Sequence, residues 1–225
     1  MEIDEIKQLW KAYDEKLEQQ WQLNLSLLRK ANLDKVKNRL TSLQWLNTMV
    51  LAVGISLCIV FGTFVKNHIY EIHFVAAGSI LFFWSALIAY SAVMQLRMII
   101  ALDYTSSIIS LQKKLGSLRL VILKYFKLSL LILPFYTAHT IFWFEVLFDI
   151  DIYQYGDQRW WISQFVISVV VFVPLTIWLF KKLSPSNINN SWVKKGIEGA
   201  GIKQINEALA LMEEVEQFEK KEYAL

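Results

Sequence analysis

Three runs of this 225-residue chain, 46–65, 74–96 and 160–180, contain no Asp, Glu, Lys or Arg, and a fourth, 128–148, contains only Glu145. A helix rises about 1.5 Å per residue, so each run is long enough to cross a hydrocarbon core of about 30 Å. Strands do not suit these runs, because they lack polar alternation and a sheet edge in lipid would leave backbone groups unpaired. The expected fold class is therefore all-α: an integral membrane four-helix bundle with helical cytoplasmic extensions. A mean hydropathy of +0.36, with 55% hydrophobic residues, agrees with this. The first run begins only after 45 residues rich in charge, which argues against a secretory signal peptide.

Basic residues flanking membrane segments are retained on the cytoplasmic side. The stretch before the first run holds eight, the stretch between the second and third holds six, and the tail holds seven, whereas Lys66 and Arg159 are the only ones in the two remaining loops. Both ends are therefore expected in the cytoplasm, with the chain multi-pass in the cytoplasmic (inner) membrane. The formal net charge of +3 reflects this retention pattern, since acidic residues are interspersed through the arm and tail, and no nucleic-acid partner is expected. Cys58 is the only cysteine and lies inside the first run, so it reads as a small packing residue.

Three parts follow: a cytoplasmic amphipathic arm, 1–45; a four-span membrane domain, 46–180, with a cytoplasmic helical loop, 97–127; and a cytoplasmic helical tail, 181–225. In the arm, Ile3, Ile6, Trp10, Tyr13 and Leu17 recur at alternating spacings of three and four, the seam of a helix that packs on another helix. Asn32 is expected to end that helix and Asp34 to cap the next, which continues into the first span. The loop is expected to form two helices that break near Leu115-Gly116-Ser117, where Gly stops one and Ser caps the other. In the tail, Ile202, Ile205, Leu209, Met212, Val215 and Phe218 form an apolar stripe beside several glutamates. Three amphipathic surfaces on one side of the membrane are expected to pack as a helical bundle in which arm and tail cover each other's apolar stripes, Trp10 and Leu209 included; the alternative is three separate helices, each lying on lipid.

Four stretches carry a family resemblance. They are Glu2-Ile3-Asp4-Glu5-Ile6-Lys7-Gln8-Leu9-Trp10; Leu23-Asn24-Leu25-Ser26-Leu27-Leu28-Arg29 with Asn32-Leu33-Asp34-Lys35; Leu102-Asp103-Tyr104-Thr105 with Ile109-Ser110-Leu111-Gln112-Lys113-Lys114-Leu115 and Leu118-Arg119; and the tail from Trp192 through Gly199-Ala200-Gly201 to Phe218-Glu219. Together they resemble an uncharacterised family of bacterial four-span membrane proteins often met near genes for alternative sigma factors. The resemblance implies the same topology and a regulatory setting, and it brings no catalytic residues with it.

Candidate sites are few. His139 lies near the middle of the third run, where an ionisable group is costly, and is the candidate functional residue inside the membrane; packing reads it instead as neutral and hydrogen-bonded to a Ser or Thr of a neighbouring helix. Glu145 lies near the outer end of the same run and is expected to reach water. His68, Glu71, His73, Asp149, Asp151 and Asp157 collect on the outer face, but at no established metal spacing, so no metal and no cofactor are expected. Pro134 and Pro174 lie inside spans three and four, where each can kink its helix or serve as plain packing, and Gly54, Cys58, Gly62, Gly78, Ser85, Ala89 and Ala92 are expected to let helices approach closely. No phosphate-binding Gly loop or Ser nucleophile motif is present, which argues against an enzyme. Trp10, Trp21, Leu28, Leu209 and Met212 are the candidate partner-binding residues. The expected partners are membrane lipid and a cytoplasmic protein such as a sigma factor, with room for a homo-oligomer. The alternative reading is a small channel or transporter subunit.

Overall fold

Apolar periodicity and a near absence of strand signals lead to helices throughout. The computed structural model describes residues 3–184 and 201–222, and every regular element among them is helical. These are α1 (Ile3–Asn67), α2 (Ile72–Ile100), α3 (Ile108–Ser129), a 3-10 segment (Leu130–Phe135), α4 (Tyr136–Phe148), α5 (Ile152–Tyr155), α6 (Gln158–Ile167), a π segment (Ser168–Phe172), α7 (Val173–Lys182) and α8 (Lys203–Glu222). Three helices are long and apolar enough to cross a membrane: Ile6–Asn67, Ile72–Ile100 and Gln158–Lys182. The run 128–148 is not a single helix, because Pro134 lacks an N–H and crowds the preceding turn, and the chain tightens into the 3-10 segment there.

The chain divides into two compact units. The first comprises Met1–Ser42, Leu102–Gly116 and Gln204–Leu225; the second comprises Leu43–Ala101 and Ser117–Lys203.

In the first unit α8 runs antiparallel to α1. Glu207 pairs with Arg39 (3.0 Å), Leu211 and Glu214 meet Asn32, and Phe218 stacks on Trp21 with ring centres 5.9 Å apart. Ile205, Ala208, Met212 and Val215, at spacings of three and four, form one buried face; Val36 and Leu40 of α1 and Leu111 and Leu115 of α3 complete the core. Each of these side chains other than Ala208 stabilises the unit by about 1.5–3 kcal/mol through apolar burial. Gln112 Nε2 donates to Glu216 at 3.0 Å, and the Arg29 guanidinium donates to the Ser106 carbonyl at 3.2 Å, so arm, loop and tail are also joined by polar contacts.

Three local expectations are corrected here. Asn32 does not end a helix: α1 runs through it, and the side chain is buried, with Nδ2 donating to the Leu211 carbonyl and to Glu214 Oε2, both at 3.2 Å. Gly116 does not break α3 either, because Leu115 and Leu118 beside it are buried and their packing holds the helix. The break falls instead at 101–107, where Asp103 Oδ1 accepts from the Thr105 N–H and hydroxyl, and Ser107 Oγ caps the next helix by accepting from the Ser110 N–H. Finally, Trp10 is not covered by the tail: it is 68% exposed, whereas Leu209 is half-buried at the edge of the α8 stripe.

In the second unit α1 and α2 form an antiparallel pair zipped by small residues. A Cβ on Gly54 would lie 3.1 Å from the Ala89 backbone nitrogen, and one on Gly78 would lie 2.6 Å from Val65. Cys58 Sγ sits 3.2 Å from Ser85 Oγ between those two points. Toward the α1–α2 turn the core is aromatic: Phe61 and Phe64 each meet Phe142 edge-on with ring centres 4.9 Å apart, and Leu81 and Ala138 fill in around them. The 3-10 and π segments pack against each other. Ser168 Oγ donates to the Pro134 carbonyl at 2.6 Å, and the Tyr136 hydroxyl donates to the Gln164 side chain. Pro174 follows the π turn at the second position of α7, where a missing N–H is tolerated.

Candidate functional site

The sequence supplies the start of α1 with a stripe at spacings of three and four, and the fold leaves it bare. Ile6, Trp10, Tyr13 and Leu17 are 43%, 68%, 68% and 62% exposed, and Leu9 lies beside them. No described side chain between residues 6 and 20 is buried, while from Trp21 onward α1 is gripped by α8. Five side chains of this size at that exposure present roughly 400–500 Å² of apolar surface, within the range of the largest patch on an ordinary monomer. At about 25 cal/mol per Å² its full burial is worth roughly 10 kcal/mol gross, enough to support a docking interface before the costs of association. The charges along the same helix, Lys7, Lys11 and Lys16 with Asp14, Glu15 and Glu18, are of both signs, unlike the strongly basic polar face of a helix built for lipid headgroups.

The other candidates on the arm and tail are placed differently. Trp21, Leu28 and Leu209 are half-buried, and Met212 is fully buried, so Met212 presents no surface unless α8 lifts away. They hold the first unit together, and the exposed stripe extends N-terminal of them on the same helix.

His139 is half-buried and meets the ring of Trp84 edge-on with centres 5.8 Å apart, in place of the hydrogen bond to a Ser or Thr that packing alone suggests. Trp84 in turn donates Nε1 to the Ser129 carbonyl at 3.0 Å, at the point where α3 gives way to the 3-10 segment. Glu145 is not left to water: its carboxylate lies 3.3 Å from His68 Nε2. His73 Nε2 lies 3.0 Å from Asp151 Oδ2, and Tyr153 stacks on the His73 ring at 4.5 Å. The other oxygen of Asp151 caps α5 by accepting from the N–H groups of Tyr153 and Gln154. His68 with Glu145 and His73 with Asp151 thus form two pairs that tie the α1–α2 turn and the start of α2 to α4 and α5, and among the described residues no three ligand-type groups converge.

Two buried amides escape a reading by periodicity. Asn47 and Gln95 lie within apolar runs, and both are more than nine-tenths buried. They border a cleft of about 250 Å³ between α1, α2 and α3.

No family model, curated protein or solved structure matches this chain.

Proposed function

We propose that the chain is a non-enzymatic, four-span protein of the cytoplasmic membrane, with both ends in the cytoplasm, whose cytoplasmic helices bind or regulate a protein partner of the transcription-regulator class. The observation that carries this reading is the bare stripe of Ile6, Trp10, Tyr13 and Leu17, a helix face with apolar periodicity and no cover. Trp and Tyr at the centre of such a face are the residue types that dominate binding energy when a partner buries them. The fourth crossing is supported by length: six 3-10 residues at about 2.0 Å and thirteen α residues at about 1.5 Å give roughly 32 Å for 130–148, enough for the hydrocarbon core. Orientation rests on the distribution of basic residues, and a sigma factor as partner rests on the family resemblance of the cytoplasmic stretches.

Photocrosslinking tests it. With benzoylphenylalanine placed at Trp10 or Tyr13 in living cells, one discrete cytoplasmic protein should be captured, and none should be captured from the buried position Leu111. Crosslinks confined to lipid, or their absence at both sites, would remove the reading. The channel or transporter alternative draws on the facing 3-10 and π segments beside Pro134 and Pro174, since broken helices at membrane depth often line transport sites. Solute flux through liposomes carrying the purified protein, with no partner captured, would favour that alternative.

A further inference from the structure

The cleft between α1, α2 and α3 combines a polar end with an apolar body. Asn47 and Val50 stand in the first turn of the run 46–65, and Gln95 stands in the last turn of the run 74–96, so these two amides mark the end of the membrane segment that faces the arm. Trp84 borders the same cleft eleven residues earlier on α2, roughly 16 Å deeper along the helix. Ile88, Ile122 and Phe126 line the length between.

Gln95 is 7% exposed, and its amide makes no hydrogen bond with any described residue. Asn47 is 5% exposed; its Nδ2 donates to the Leu43 carbonyl of its own helix, and its Oδ1 remains open. A buried amide without a partner is costly, because the apolar side chains around it do not hydrogen-bond it. Water alone is a poor occupant. At about 30 Å³ each, roughly eight molecules would fill the space, each wanting two to four polar partners, more than the Gln95 amide, the Asn47 carbonyl and the hydroxyls of Ser91, Tyr125 and Ser129 supply. No Asp, Glu, Lys, Arg or His lines the cleft, so the head of any ligand must be uncharged. Gln95 donates and accepts while Asn47 Oδ1 accepts, a set that matches a hydroxyl next to an ester or ketone carbonyl.

We propose that this cleft is a binding site for an uncharged membrane lipid with a hydroxyl-bearing head, of the diacylglycerol class. The head lies between Gln95 and Asn47 at the cytoplasmic boundary, and one acyl chain runs along Ile88, Ile122 and Phe126 toward Trp84. The proposal rests on the membrane-spanning part of the reading above and is independent of the protein partner.

The test uses the full chain in nanodiscs with a diacylglycerol that carries a photoreactive diazirine on its acyl chain. Label should fall on peptides covering 84–95 and 122–129. Unlabelled diacylglycerol should compete, and phosphatidylglycerol should not. Gln95→Leu, which removes the orphan amide, should lower labelling about five- to tenfold, as expected for loss of one or two neutral hydrogen bonds. Ile88→Trp, which fills the cleft and leaves Gln95 in place, should abolish it. Equal competition by phosphatidylglycerol, or labelling unchanged in both variants, overturns the proposal and leaves ordinary bilayer lipid against the cleft; absence of label in the parent overturns it in favour of water. Resistance of the same preparation to alkaline carbonate extraction is scored separately, so that failure of the lipid site is distinguished from failure of the membrane reading.

Discussion

Asn32→Asp is the sharpest probe of how α8 is held. The change keeps the shape of a side chain that is 1% exposed, but it replaces the Nδ2 donor with an oxygen that faces the Leu211 carbonyl and the Glu214 carboxylate. One neutral hydrogen bond, about 1 kcal/mol, and one to a charged acceptor, about 1.5–3 kcal/mol, are lost. Glu214 is exposed and swings into water, so the added repulsion is worth under about 1 kcal/mol. The sum is about 3–4 kcal/mol. At about 1.4 kcal/mol per decade, opening of α8 from α1 becomes roughly two to three decades more frequent. Amide hydrogen exchange followed by mass spectrometry on peptides within 203–222 reads this directly, with peptides in 74–96 as the internal control. Adding Glu214→Gln returns a donor opposite the new carboxylate and should recover a large part of the protection. Exchange within threefold of the parent would refute the claim that Asn32 clamps the two helices.

Gly54→Leu places a side chain where a Cβ alone would sit 3.1 Å from Ala89, and overpacking of about 1–3 kcal/mol should lower the thermal midpoint in detergent; Gly62→Ala, whose Cβ would meet Phe82 no closer than 3.6 Å, should leave it nearly unchanged. Trp10→Glu should leave proteolysis of α8 within twofold of the parent because Trp10 is exposed, while Met212→Glu buries an unpaired charge in the core, costs about 3 kcal/mol or more, and should make α8 readily cut. The Thr105 hydroxyl and N–H hold the Asp103 carboxyl below its ordinary range. A carboxyl lowered on folding supports the folded turn above its ordinary value of about 4, and that support fades as pH falls through the lower folded value. Exchange protection at Thr105 should therefore drop in acid, and Asp103→Asn should remove the pH dependence.

The apolar runs made the helical class and the three helices long and apolar enough to cross a membrane legible, since length and absence of charge are properties of local sequence. Interruptions inside helices were harder to place. Asn32 and Gly116 carry stop signals, but each is overridden by packing that periodicity does not reveal: Asn32 exchanges its helix-ending preference for hydrogen bonds to α8, and Gly116 is carried by buried leucines on either side. The true break at 101–107 had its own signal in Asp103-Tyr104-Thr105-Ser106-Ser107, a string of turn and cap residues masked by the stronger Gly116. The arm's stripe was visible as a pattern, but which half of it is covered depends on how far α8 reaches along α1. Gln95 and Asn47 gave no sign at all, because a single amide in an apolar run looks the same whether it meets a partner or a cleft.

The central claim places the bare stripe of α1 in the cytoplasm, and topology is measured most directly by single-cysteine labelling in intact cells after Cys58 is replaced by Ser. A cysteine introduced at Tyr13 should resist a membrane-impermeant maleimide until the cells are permeabilised, and one at Tyr155, in the loop between the third and fourth runs, should label at once. Immediate labelling at Tyr13 would put the stripe outside, away from any cytoplasmic partner, and would contradict the account.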